Sequence, residues 1–176
     1  MLVSLRNHMG DCFEQIHKLL RQHKYSYAFK LLIDEKKGRI KSPFNSDINH
    51  SWYLVGDILY TAKKYTQALI AFKKSLRNWP EDYQAMCAIA NCYSDLNKPK
   101  LAQRFLLKAI RVAGRKDELV YNLGNALFDQ KKYEAAALEY KKVSKKNKMV
   151  YKLAIKNLKK CEATKKQGVK KQGVTS

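Results

Sequence analysis

Four histidines, His8, His17, His23 and His50, and four cysteines, Cys12, Cys87, Cys92 and Cys161, are the side chains of this 176-residue sequence best suited to hold a metal or move a proton. A structural zinc site takes four such ligands, usually arriving as local pairs. His8 and Cys12 sit four apart, as two ligands on one helix would, but no second pair accompanies them. The cysteines lack any Cys-x-x-Cys spacing, so they read as reduced, small hydrophobes of a cytoplasmic protein, not as a zinc or redox motif. No glycine-rich phosphate loop, His-Glu-x-x-His pair or Gly-x-Ser-x-Gly elbow occurs. These readings predict a chain that is not an enzyme, with no cofactor and no metal.

The elements that must position any site are helical. Hydrophobic residues make up 45% and charged residues 29%, which is globular in class, and three prolines with seven glycines leave little turn chemistry for a β fold. No run approaches the roughly 18 apolar residues that span a bilayer, and "MLVSLRNHMGDCFEQI" lacks the apolar centre of a secretory signal. The formal charge is +21, with 36 Lys and Arg against 15 Asp and Glu. From Lys141 onward there are 13 lysines and one acid, Glu162. Such a balance attracts polyanions and acidic surfaces.

The helices repeat. A shift of 34 residues superposes Trp52, Met86 and Val120; Gly56, Ala90 and Gly124; Ala68, Ala102 and Ala136; and Phe72, Leu106 and Tyr140. Small residues at fixed offsets let two helices approach closely, and large ones fill the space around them. A single hairpin cannot bury its apolar face, so such units stack and need atypical ends. Three units are expected, 49–82, 83–116 and 117–150. Upstream, residues 1–48 hold a divergent helical pair, with Tyr25 and Ala28 forty residues before Tyr65 and Ala68, and "GRIKSPFNSDINH" reads as a loop. Downstream, Val150, Ala154, Leu158 and Cys161 share one face of a capping helix over 151–163, with Lys152, Lys156, Lys159 and Lys160 elsewhere on it. The tail over 164–176 contains a tandem KKQGV and is predicted to be basic and disordered.

"WYLVGDIL", "YTQALIAF" and Pro80, followed by two more units of the same length, resemble the tetratricopeptide repeat family. The resemblance implies an all-α, right-handed solenoid of helical hairpins. It also implies a ligand-binding concave surface lined by the first helix of each unit. Transferred to this chain, that groove consists of Tyr53, Asp57 and Tyr60; then Gln84, Cys87, Asn91 and Asp95; then Glu118, Tyr121, Asn122, Asn125 and Phe128. Aromatic, amide-bearing and somewhat acidic, it suits an extended or helical peptide. Some relatives grip acidic carboxyl-terminal tails of chaperones with a carboxylate clamp; Asn91, Asn122, Lys152 and Lys156 match four of its five positions, and Cys87 stands where its first lysine belongs. On the second helices, Lys74, Lys108 and Lys142, and Arg77, Arg111 and Lys145, predict two basic columns on the outer face. The function expected is a protein-interaction adaptor, scaffold or co-chaperone that holds a peptide of another protein. The alternative is a scaffold for nucleic acid or another polyanion, held by the basic face and tail, and a chaperone of the secretion type is a third reading.

Overall fold

The computed structural model describes residues 13–172, with side chains to residue 164. The chain divides into two compact units that meet in sequence at Pro80 and Glu81.

The first unit holds α1 (residues 13–21), α2 (Tyr25–Leu32), a ribbon of β1 (Ile33–Asp34) and β2 (Arg39–Ile40), a short 3-10 turn (Phe44–Asp47), α3 (Ile48–Thr61) and α4 (Tyr65–Asn78). The segment expected to be a loop is therefore partly ordered: Ile33 pairs with Ile40 and Asp34 with Arg39, antiparallel. The apolar side chains of this insertion drive that order, because Ile40 and Phe44 enter a core with Ile16, Leu32, Trp52 and Val55. Asp47 starts α3 by accepting the backbone N–H of His50 at 3.0 Å, which satisfies a donor that the first turn leaves unpaired.

The second unit holds α5 (Tyr83–Asp95), α6 (Pro99–Ala113), α7 (Asp117–Asp129), α8 (Tyr133–Lys141) and α9 (Lys148–Gln172). Asp82 caps α5 through Gln84 N–H and Ala85 N–H, at 2.9 and 3.0 Å. In α6, Pro99 occupies the first turn, where its missing N–H costs nothing, and Ala102, Leu106 and Ala109 form the buried stripe. Gly114 ends the helix at φ 75°, a backbone region that side chains disfavour.

Among the described residues, the turns α1–α2, α3–α4, α5–α6 and α7–α8 are alike. His23, Lys63, Asn97 and Lys131 have φ between 56° and 61°. The next N–H, of Lys24, Lys64, Lys98 and Lys132, reaches back five residues to Leu19, Leu59, Tyr93 and Leu127 carbonyls at 2.8–3.0 Å. This is the paired-bond helix stop known as the Schellman motif. Ala28, Ala68, Ala102 and Ala136, four residues after each of those lysines, are 0% exposed.

Two further expectations change. The second helix of the third repeat, α8, has 9 residues where α4 and α6 have 14 and 15. Asp117 accepts the Ser144 N–H at 2.8 Å and Asn147 opens α9 by accepting the Val150 N–H at 3.3 Å, so polar side chains take over the backbone there. Second, α9 does not stop at 163 before a disordered tail: it runs on to Gln172, and only residues 173–176 of the tail lie outside the described residues. Lysine is a good helix former, and an established helix adds residues cheaply once nucleated.

Candidate functional site

In the first unit, Tyr53, Asp57 and Tyr60 follow one stripe of α3. The tyrosines are half-buried, and each leans on an aromatic of α4: Tyr53 on Phe72 at 5.4 Å and Tyr60 on Tyr65 at 5.4 Å, both edge-to-face. Their rings are thus held in place by packing. Burial of its surroundings raises the Asp57 carboxyl above the ordinary range.

In the second unit, α7 lies against both α5 and α9, α5 and α7 being the first helices of successive pairs and α9 the helix that follows them. The amide of Asn122 donates to Asn91 Oδ1 at 3.3 Å and to Cys87 Sγ at 3.4 Å, so these three predicted residues do come together. A second cluster follows. Asn157 on α9 donates to Tyr121 Oη at 3.2 Å and to Asn125 Oδ1 at 3.0 Å, and Asn125 Oδ1 also accepts from Tyr140 Oη at 2.8 Å. All of these except Tyr140 are partly exposed, and burial raises the Tyr140 hydroxyl. The face is therefore a row of neutral donors and acceptors fixed by mutual bonds. Phe128 stacks edge-on against Tyr133 at 5.2 Å, while Gln84, Asp95 and Glu118 are exposed. Glu118 is not idle, since its carboxylate accepts from Asn147 at 2.8 Å.

The clamp arrangement is only partly reproduced in chemistry. Burial raises the Cys87 thiol, and the carboxylate of Glu118 adds to the effect against the opposing bond from Asn122, so the position that matches a lysine carries no charge at neutral pH. Asn122 already spends its amide on Asn91 and Cys87. Lys152 and Lys156 are exposed on α9.

Asn157 belongs to this face, and the buried Tyr140 holds it through Asn125, although neither is among the transferred groove positions. A signal existed: Asn157 lies 36 residues after Tyr121 and 32 after Asn125, close to one repeat period beyond each.

The third member of each predicted basic column leaves its helix. Arg77 and Arg111 are exposed in the last turns of α4 and α6, but Lys142 and Lys145 fall beyond the end of α8, because that helix is short. Lys74 is committed elsewhere, with Nζ 3.9 Å from the Trp52 ring centre and 3.4 Å from the Gly38 carbonyl. Lys108 lies 5.4 Å from the Phe105 ring, and Lys142 pairs with Glu139, which also pairs with Arg115. Of the proposed metal-type pair, His8 and Cys12 lie outside the described residues. Cys87, Cys92 and Cys161 are free thiols, and burial, aided by Asp95, pushes Cys92 up to about 12. No helix among the described residues is long and apolar enough to cross a membrane.

No curated protein sequence matches this chain. Among solved structures, YrrB, described as a tetratricopeptide protein with an unusual peptide-binding site, is similar with a TM-score of 0.66 and 19% identity, covering 86% of this chain and 74% of its own. The first repeat domain of Spaghetti (RPAP3), bound to the HSP90 peptide SRMEEVD, has a TM-score of 0.62 and 21% identity over 68% of this chain and 94% of its own. PcrH in complex with the chaperone binding region of PopD has a TM-score of 0.63 and 13% identity over 68% of this chain and 95% of its own. These likenesses establish the helical-hairpin fold. The sequence profile of the tetratricopeptide repeat matches residues 44–83 and 87–146, more than half of the chain. The chain belongs to the tetratricopeptide repeat family.

Proposed function

We propose that this protein is a non-catalytic interaction adaptor that holds a peptide segment of another protein on the face built by α5, α7 and α9. The observation that carries the reading is the fixed row of side-chain amides and hydroxyls, Asn91, Asn122, Tyr121, Asn125 and Asn157. The mutual bonds use the N–H groups of Asn122 and Asn157 and the oxygens of Asn91 and Asn125, and the opposite ends of the same amides, N–H on Asn91 and Asn125 and C=O on Asn122 and Asn157, match the alternating groups of a peptide main chain, whatever its sequence. Because their rotamers are already fixed, binding need not order them again, which saves about 0.5–1.5 kcal/mol per side chain. YrrB, the Spaghetti domain and PcrH, which share the fold, are described with a peptide-binding site, an HSP90 peptide and a partner's binding region, respectively. The free thiols fit a reducing compartment such as the cytoplasm.

A co-chaperone role is the narrower form of this reading, with Lys152 and Lys156 supplying charge to an acidic peptide end beside Asn91 and Asn122. The experiment is fluorescence anisotropy of the intact chain against SRMEEVD, its carboxyl-terminal amide and a random peptide library at 0.15 and 0.5 M salt. Peptide binding that survives 0.5 M salt and weakens by about 5–30-fold in Asn122→Ala or Asn157→Ala, the equivalent of about 1–2 kcal/mol, supports the adaptor. Preference for the free carboxylate, lost in Lys152→Ala with Lys156→Ala, supports the co-chaperone form. Binding of a labelled single-stranded RNA oligonucleotide in the same assay with no binding of any peptide, falling steeply with salt and indifferent to both asparagines, overturns the adaptor in favour of polyanion binding.

A further inference from the structure

In the first unit, the Nε2 atoms of His17 on α1 and His50 on α3 are 3.4 Å apart. The ring centres are 5.4 Å apart and the rings are inclined at 46°, so the nitrogens are the parts of the two rings that approach each other. That separation is longer than the usual hydrogen-bond range of about 2.7–3.2 Å. It equals the edge of a tetrahedral site: two imidazole nitrogens each about 2.0–2.1 Å from one Zn²⁺ lie about 3.3–3.4 Å apart, with ring centres about 5.2 Å apart. Both side chains are half-buried. The His50 ring is set by Phe13, which meets it edge-on at 4.9 Å, and its backbone is held by Asp47 at the start of α3. The two donors come from different helices, 33 positions apart in sequence, so no local spacing announces the pair.

We infer that His17 and His50 form a bidentate site for a divalent transition ion of the Zn²⁺ class, bound through both Nε2 atoms. Neutral imidazole is a good donor for Zn²⁺, Ni²⁺ and Cu²⁺ and a poor one for Mg²⁺ or Ca²⁺. Among the described residues no cluster of three or more His, Cys, Asp or Glu could hold a metal ion, so within them the site consists of these two rings. An open coordination sphere of this kind differs from a four-ligand structural site, and the ion would tie α1 to α3 without being required for folding.

Isothermal titration of the metal-stripped intact chain with ZnCl₂ tests the site, with MgCl₂ as the comparison. The expected result is one equivalent of Zn²⁺ and no Mg²⁺, with affinity lowered at least roughly tenfold in His17→Asn and in His50→Asn and unchanged in His23→Asn. Because the two informative variants alter a packed region, Co²⁺ absorption of the unsubstituted chain supplies a second readout: visible d–d bands without a thiolate charge-transfer band are expected. No Zn²⁺ uptake, uptake equal in all three variants, or a thiolate band would overturn the inference and leave the pair as two hydrogen-bonded rings.

Discussion

Gly56 and Gly124 illustrate how far single residues carry this fold. A β-carbon on Gly56 would lie 2.6 Å from the ring of Phe72, and one on Gly124 would lie 2.5 Å from the ring of Tyr140. Both rings are buried, at 2% and 1% exposure, so neither can swing aside. In the middle repeat the corresponding residues are Ala90 and Leu106, a larger small residue with a smaller large one, which keeps the filled volume similar. Gly56→Ala is therefore expected to lower stability by about 1–2 kcal/mol in urea unfolding, since overpacking outweighs the roughly 1 kcal/mol that alanine gains in a helix. Gly56→Ala combined with Phe72→Leu copies the middle repeat and should recover most of the loss; a double variant as unstable as the single one would refute this account of the spacing.

The repeated element is the turn as much as the helix. Four residues that are not glycine, His23, Lys63, Asn97 and Lys131, occupy the left-handed region, where a side chain costs about 1–2 kcal/mol. Lys131→Gly removes that strain at some cost in unfolded-chain entropy, and a net gain of about 0.5–1 kcal/mol in the urea unfolding free energy is expected. The shortness of α8 and the length of α9 also belong to this scale. Asp117 and Asn147 redirect the backbone after Lys141, so Lys142 and Lys145 leave the helical register on which the basic columns depended.

Across the whole molecule the charge of +21 sets the response to salt. With 36 cations and 15 anions, most basic groups repel more neighbours than they attract, and compaction brings them closer. Screening at about 0.15 M reduces those interactions beyond roughly 8 Å. Melting followed by circular dichroism should show Tm rising from 10 mM to 0.3 M NaCl; a Tm that falls over this range would mean that favourable ion pairs dominate instead. The same screening separates the two functional readings, because hydrogen bonds from neutral amides are far less sensitive to salt than contacts to phosphates.

The 34-residue period, the close-approach positions and the family were all legible in the sequence, because each follows from residue size at fixed helical offsets. Asn91 and Asn122 were singled out through the resemblance to the family, not by the period, since they are not one repeat apart. What needed the tertiary structure was everything set by partners distant in the chain. The ribbon of Ile33–Asp34 with Arg39–Ile40 forms because Ile40 and Phe44 have a core to enter, which no local pattern reveals. Asn157 joins Tyr121 and Asn125 only because α9 packs beside α7. The approach of His17 to His50 likewise spans 33 residues and joins two positions that are not equivalent in their helices. Periodicity encodes contacts between equivalent positions; contacts between inequivalent ones are decided by packing, and only folding brings them together.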